Sequence, residues 1–114
     1  MRKQLIETAA YEVATQVRTV EDSIDAALAE IAELQARMLR ANAVAHAAFG
    51  TIHPALEKLA AAVSGLVGSR GAVVECHAAL ADAKAKVPGL RTVAFGDEGE
   101  CPPPSGQVDL RIVA

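Results

Sequence analysis

The fold is decided by residues 6–48, IETAAYEVATQVRTVEDSIDAALAEIAELQARMLRANAVAHAA. Apolar residues recur in this stretch at alternating intervals of three and four. They are Ile6, Ala10, Val13, Val17, Val20, Ile24, Ala27, Ile31, Leu34, Met38, Ala41, Ala45 and Ala48. A 3.5-residue repeat sustained over about six heptads keeps one stripe directed at a partner helix. The pattern predicts one long helix over about residues 4–48, with a break near Thr19 as an alternative.

A second helix is predicted over about residues 54–86, after a turn at 49–53. Gly50 is the expected left-handed residue that ends the first helix, and Pro54 is tolerated in the first turn of the next. The apolar spacing continues at Ile52, Leu56, Leu59, Val63, Leu66, Val73, Leu80 and Val87. Since a short connection places helices antiparallel, residues 1–87 are predicted to form a long, coiled-coil-like helical hairpin. The predicted fold class is therefore all-α.

Residues 88–114 differ in composition from the two predicted helices. They hold four of the five prolines and four of the eight glycines. Such a segment is predicted to be an extended C-terminal tail, with short β-prone runs at 90–95 and 108–113. We expect residues 96–106, between these runs, to be mobile or to be ordered only by a partner.

Small residues repeat along the second predicted helix at intervals of three and four. They are Ala61, Gly65, Gly68, Ala72, Cys76, Ala79 and Ala83. Keeping a glycine helical costs about 1 kcal/mol relative to alanine. Two interpretations follow: the helix breaks at 68–71, or a second backbone packs closely against this stripe.

The amino-acid composition favours association between chains. Of 114 residues, 25 are alanine, three are aromatic and none is tryptophan, so a monomer has little volume with which to build a core. We expect a homodimer that forms a four-helix bundle. The predicted oligomer interface contains Val13, Val17, Val20, Ile24, Ile31, Leu34, Ala61, Gly65, Gly68 and Ala72.

Three polar residues are predicted to set the register of the apolar seam: Asp25, Arg70 and His77. If the turn centres near residue 51, His77 faces Ile24 and Asp25 and bonds to Asp22 or Asp25. By the same folding, Arg70 reaches Glu30 or Glu33. Neighbouring Cys76 and His77 point about 100° apart on a helix and cannot readily share one ion, so no metal or cofactor is expected.

Several functional classes are disfavoured by the sequence. The net charge of −3 does not indicate a positively charged surface for binding nucleic acid. The apolar stretch 59–74 is interrupted by Arg70 and is rich in small residues, so no membrane span is expected. No export signal is expected at the N-terminus. Cys76 and Cys101 form no ligand pattern, which indicates a reducing, cytoplasmic setting.

The expected function is that of a non-enzymatic scaffold or adaptor that self-associates and docks a protein partner through its tail. No catalytic residues are predicted, because the sequence shows no nucleophile and general base at a spacing that indicates a catalytic pair. One alternative is a subunit of a larger assembly, such as a secretion or virion component. Another is a helical bundle that binds a metal or small ligand through His77.

Overall fold

The structure, a computed structural model, describes residues 2–90, which form an extended hairpin of two long helices. Helix α1 spans Arg2–Val44 and helix α2 spans His53–Ala85. Arg70 contacts Asp25 and His77 contacts Glu21, so the helices run antiparallel. The described part of the chain contains no strand. The prediction of an all-helical hairpin is therefore confirmed, whereas nearly all of the predicted tail, including its second β-prone run, lies outside the described residues.

Helix α1 is continuous for 43 residues, or roughly 65 Å at 1.5 Å per residue. The Thr19 hydroxyl donates a hydrogen bond to the Thr15 carbonyl at 3.2 Å, and the Ser23 hydroxyl donates to the Thr19 carbonyl at 2.8 Å. These hydroxyls bond back along the helix instead of capping a new one. The alternative of a break near Thr19 does not occur.

Helix α1 ends at Val44, four residues before the expected end, because His46 takes the left-handed conformation. The φ angle of His46 is 51°. The His46 N–H donates to the Ala43 carbonyl at 3.1 Å, and the Ala47 N–H donates to the Asn42 carbonyl at 3.2 Å. This pair of bonds is the Schellman motif, which satisfies carbonyls at the helix end. The expectation that Gly50 would serve as the left-handed residue is wrong.

The early end of α1 moves the turn. The connection covers residues 45–52, so its midpoint lies between residues 48 and 49 and not near residue 51. Each α2 residue consequently meets α1 about five residues, or roughly one and a half helical turns, closer to the N-terminus of α1 than expected. The polar pairs of the seam change accordingly.

Helix α2 runs through 68–71 without interruption. Gly65, Gly68 and Gly71 are all helical, and a Cβ added to any of them would meet nothing within 4 Å. The predicted alternative of a break at 68–71 is therefore wrong. Pro54 lies in the first turn of α2. At the other end, the Lys86 N–H donates to the Ala83 carbonyl and the Val87 N–H donates to the Lys84 carbonyl, both at 3.1 Å.

The two helices meet along heptad columns, but neither α1 nor α2 buries a residue fully. The half-buried positions on α1 that recur at three- and four-residue intervals are Ala10, Ala14, Val17, Glu21, Ile24, Leu28, Ile31, Met38 and Asn42. Those on α2 are Leu56, Leu59, Val63, Leu66, Val73, His77 and Lys84, and Val87 continues the spacing just after the helix. The hairpin therefore has a seam but no enclosed core.

Residues 86–90 turn back onto the start of α1 at the open end of the hairpin. Gly89 has a φ angle of 92°, and a Cβ added to it would lie 3.9 Å from Cγ of Lys3. Leu90 is only 5% exposed, and it is the sole buried residue in the described part of the chain. Together with Ile6 it lines a pocket of about 280 Å³. The chain thus folds back at residues 88–90, where an extended segment was expected.

We predict that Leu90→Ala lowers the free energy of unfolding by about 2 kcal/mol, because it removes the buried side chain that closes the open end of the hairpin. Leu5→Ala is the matched control: Leu5 lies near the same end of α1 but is 71% exposed, so the loss should stay below about 0.5 kcal/mol. Urea unfolding followed by circular dichroism measures both. Equal losses would contradict the role given to Leu90.

We predict that His46→Gly raises the free energy of unfolding by about 0.5–1 kcal/mol. A non-glycine residue pays about 1–2 kcal/mol in the left-handed conformation, which exceeds the entropy that glycine adds to the unfolded chain. The control is Gly50→Ala, which should cause no loss because Gly50 has open space around it and no left-handed φ. If Gly50→Ala destabilised the protein, the left-handed conformation would instead lie at residue 50.

Candidate interaction surface

Three neighbouring heptad columns of α1 matter for packing, and two of them are apolar while one is partly polar. Helix α2 covers one apolar column and the partly polar column. The covered apolar column contains Ala10, Val17, Ile24, Ile31 and Met38, and the partly polar column contains Ala14, Glu21, Leu28 and Asn42 as half-buried residues, with Gln35 exposed. The third column consists of Val13, Val20, Ala27, Leu34 and Ala41, in which the valines and Leu34 are exposed. An apolar column beyond the two columns that one neighbour covers is typical of bundle helices with more than one neighbour.

This division separates the residues that were predicted to form one oligomer interface. Val17, Ile24 and Ile31 are half-buried at the seam within the chain. Val13, Val20 and Leu34 remain available to another molecule. The sequence pattern combined both groups because they lie on adjacent apolar columns of α1. Residue spacing alone does not show how many columns a neighbouring helix covers.

The third column of α1 belongs to a face of the hairpin without charged side chains. Antiparallel helices that share a heptad seam are related by an approximate two-fold axis perpendicular to the plane of the hairpin. The columns that flank the seam at equivalent heptad positions of the two helices therefore lie on the same side of the hairpin. The matching flank of α2 is made of small residues. We call these positions the uncharged face: Val13, Val20, Ala27, Leu34 and Ala41 on α1, and Ala55, Ala62, Ser69, Cys76 and Ala83 on α2.

The opposite side of the hairpin, here called the mixed face, is also partly apolar but carries charges. It consists of Tyr11, Arg18, Asp25, Ala32 and Leu39 on α1, with Ala60, Val67, Val74 and Ala81 on α2. Asp25 is held there by Arg70, and Arg18 lies 3.9 Å from Asp22. Covering this face would require the removal of water from charged groups.

The small-residue stripe lies on the back of α2, away from α1. Ala61, Gly65, Gly68 and Ala72 are all exposed, and the two glycines have open space where a side chain would be. These predicted interface residues are therefore not brought together with Val13, Val20 and Leu34. The structure leaves two separate uncharged surfaces on the hairpin.

Arg70 and Asp25 form an ion pair between the helices. The Arg70 guanidinium donates from Nε to Oδ1 of Asp25 at 2.7 Å and from Nη2 to Oδ2 at 3.5 Å. These hydrogen bonds to Arg70 lower the pKa of Asp25, and the same pairing raises the pKa of Arg70. The predicted partners of Arg70, Glu30 and Glu33, are wrong; Glu33 instead pairs with Arg37 and Arg40 on its own helix.

His77 occupies the seam beside Glu21. Its Nδ1 atom lies 3.4 Å from Oε1 of Glu21, and both side chains are half-buried. The expected partners Asp22 and Asp25 are therefore wrong by one and four residues. Sequence reasoning missed Glu21 as a seam residue, although it lies seven residues from both Ala14 and Leu28, which are half-buried in the same column.

The described residues offer little for metal binding. Residues 2–90 contain no group of three His, Cys, Asp or Glu side chains placed to hold an ion. His53 lies near the turn and pairs with Glu57 at 2.9 Å, far along the hairpin from His77. The interpretation of His77 as a ligand has no supporting cluster in this part of the chain.

Helix α2 is long and apolar enough to cross a membrane on length and composition alone, and none of that stretch is buried within the chain. Arg70, Glu75 and His77 lie in its C-terminal half. Charged and ionisable residues are costly at membrane depth, so the observation is weak support for a span.

Comparison of the chain with protein-family models, with curated proteins and with solved structures finds no match in any of the three.

We predict that Asp25→Asn destabilises the hairpin at pH 7 and that the difference disappears at strongly acidic pH. Because the folded-state pKa of Asp25 is lowered, its contribution is present above the unfolded-state pKa, about 3.9, and is lost as pH falls through the lower folded-state value. Urea unfolding at a series of pH values measures the difference.

The control is Asp82→Asn, because Asp82 lies on the back of α2 and has no ion pair among the described residues. It should show no such loss at pH 7. A constant difference between Asp25→Asn and the parent chain from pH 7 to pH 2 would contradict the pairing.

Proposed function

We propose that the protein is a non-enzymatic scaffold or adaptor that self-associates through its helical hairpin. Two copies form a homodimer, and their four long helices make a bundle. The observation that carries this proposal is the apolar column of α1 that α2 leaves exposed at Val13, Val20 and Leu34. The absence of any fully buried residue in α1 and α2 supports it, since a stable domain ordinarily encloses part of its apolar surface.

The size of the hairpin face is sufficient for a stable dimer. Over the 33 residues of α2 the helices run side by side for roughly 50 Å. Helix axes 8–10 Å apart give the pair a width of about 18 Å, and thus a face of about 900 Å². Stable protein interfaces bury about 800 Å² on each partner. One face of the hairpin therefore supplies the area that pairing needs.

The remaining parts of the proposal concern setting and partner. We propose a cytoplasmic protein with its cysteines reduced, and a C-terminal tail that docks a protein partner. Residues 91–114, which would supply the docking segment, lie outside the described residues. In this arrangement the bundle sets how many tails are presented together and how far apart they are.

A second candidate function is that of a subunit in a larger assembly. The observation that favours it is the separate stripe on the back of α2, where Ala61, Gly65, Gly68 and Ala72 are exposed. A molecule that pairs through one face and packs closely through another can extend into rings or filaments. The two candidates therefore differ in whether association stops at two copies.

The test is the molar mass of the full chain by size-exclusion chromatography with light scattering. A mass of twice 11.8 kDa that falls on dilution is expected. Light scattering is needed because so long a hairpin elutes early even as a monomer. Mass that keeps growing with concentration would favour the larger assembly. A constant mass of 11.8 kDa up to about 100 μM, or capture of the chain by neutral lipid vesicles, would overturn the proposal.

A further inference from the structure

We infer that two copies pair through the uncharged face with both turns at the same end of the bundle, so that α1 of each copy lies on α2 of the other. The inference rests on the proposed self-association and specifies the surface and the orientation. It is carried by the distribution of charge between the two faces and by the distribution of large and small side chains within one of them.

The first step is the choice of face. The uncharged face has no ionisable side chain other than the Cys76 thiol, whereas the mixed face contains Arg18 and Asp25. Burying the mixed face would remove water from the ion pair between Asp25 and Arg70, whose side chains are now each more than half exposed. The desolvation of charges opposes burial, and the uncharged face does not incur it.

The second step is the match of side-chain volume across the uncharged face. Residues that face each other on antiparallel helices have numbers whose sum is nearly constant, and this sum is 98 for Glu21 with His77 and 95 for Asp25 with Arg70. Val20 and Cys76, whose sum is 96, therefore lie at about the same level of the hairpin. The next residues at a common level are found by moving seven residues forward on one helix and seven back on the other. The resulting pairs are Val13 with Ala83, Val20 with Cys76, Ala27 with Ser69, Leu34 with Ala62 and Ala41 with Ala55. In every level that has a valine or leucine on α1, the α2 residue is small.

The third step compares the two ways in which a two-fold axis can relate copies through this face. With the axis parallel to the helices, the turns lie together and each α1 column meets the small column of the partner's α2 at the same level. Large side chains then fill the space above small ones, and both inter-copy contacts are identical. Close packing of facing layers favours this alternation of large and small residues.

With the axis perpendicular to the helices, the turns lie at opposite ends, and α1 meets α1 while α2 meets α2. Valines and leucines would then face each other on one side, and alanines, serine and cysteine on the other. Interaxial distance follows the size of the contacting side chains, so the two hairpins would be wedged apart along α1. The parallel axis avoids this mismatch.

The face is tested by comparing Leu34→Lys with Leu39→Lys. Both leucines lie on α1, at 48% and 47% exposure, but Leu34 is on the uncharged face and Leu39 on the mixed face. We expect Leu34→Lys to raise the dimer dissociation constant by at least about 100-fold, because the change occurs twice in the dimer, and Leu39→Lys to change it less than about threefold. Equal effects, or a larger effect of Leu39→Lys, would overturn the choice of face.

The orientation is tested by the distance between two spin labels at the turn. Phe49 is 96% exposed, so Phe49→Cys accepts a nitroxide in a chain that also carries Cys76→Ala and Cys101→Ser. Turns at the same end predict a label separation below about 35 Å, since each helix is about 10–12 Å across, and turns at opposite ends predict about 60 Å.

The outcomes separate the orientation from the proposed function. A separation of about 60 Å in a dimer would overturn the orientation and leave self-association intact. If light scattering shows that the unsubstituted chain is a monomer, both the orientation and the proposed self-association are wrong. If Cys76→Ala itself dissociates the dimer, Cys76 lies in the interface as inferred, and the label pair is then measured with Cys76→Ser.

Discussion

One helix can cover only two heptad columns of α1, and the apolar column that contains Val13, Val20 and Leu34 lies beyond these two. Side chains on a helix surround its axis, and a single neighbour contacts the two columns nearest to it. The residues at the seam consequently remain half-buried, and Leu90 at the open end is the only buried residue between 2 and 90. The hairpin therefore has a defined seam between its helices but no enclosed core.

The register of the seam depends on polar groups and on the turn. His46 ends α1 early by taking the left-handed conformation, which fixes where α2 begins its return. Asp25 with Arg70 and Glu21 with His77 then lie opposite each other between the helices. A seam made mainly of valine, isoleucine and leucine distinguishes poorly between registers one heptad apart, because its aliphatic layers resemble each other. Polar pairs at two levels distinguish them better, since a shifted register separates Asp25 from Arg70 and Glu21 from His77.

Much of the architecture could be predicted from the sequence, and the errors have identifiable causes. The 3.5-residue spacing from Ile6 onward predicted a long helix, and the short connection predicted its antiparallel partner; both are present. The end of α1 was misplaced because Gly50 is the commoner left-handed residue and His46 carries no comparable signal. That error displaced the expected partners of Arg70 and His77. The continuity of α2 through Gly68 was open, since helix propensity alone does not decide between a break and a costly helical glycine.

The sequence by itself determined that the chain forms two long helices, that they pair in an antiparallel hairpin, and that their apolar surface exceeds what the chain can enclose. These properties depend on local periodicity and composition, which act along the chain. Only the tertiary structure decided which apolar residues the chain uses for itself. Val17, Ile24 and Ile31 lie at the seam while Val13, Val20 and Leu34 remain outside, because the rotation of α1 about its own axis is set by contact with α2.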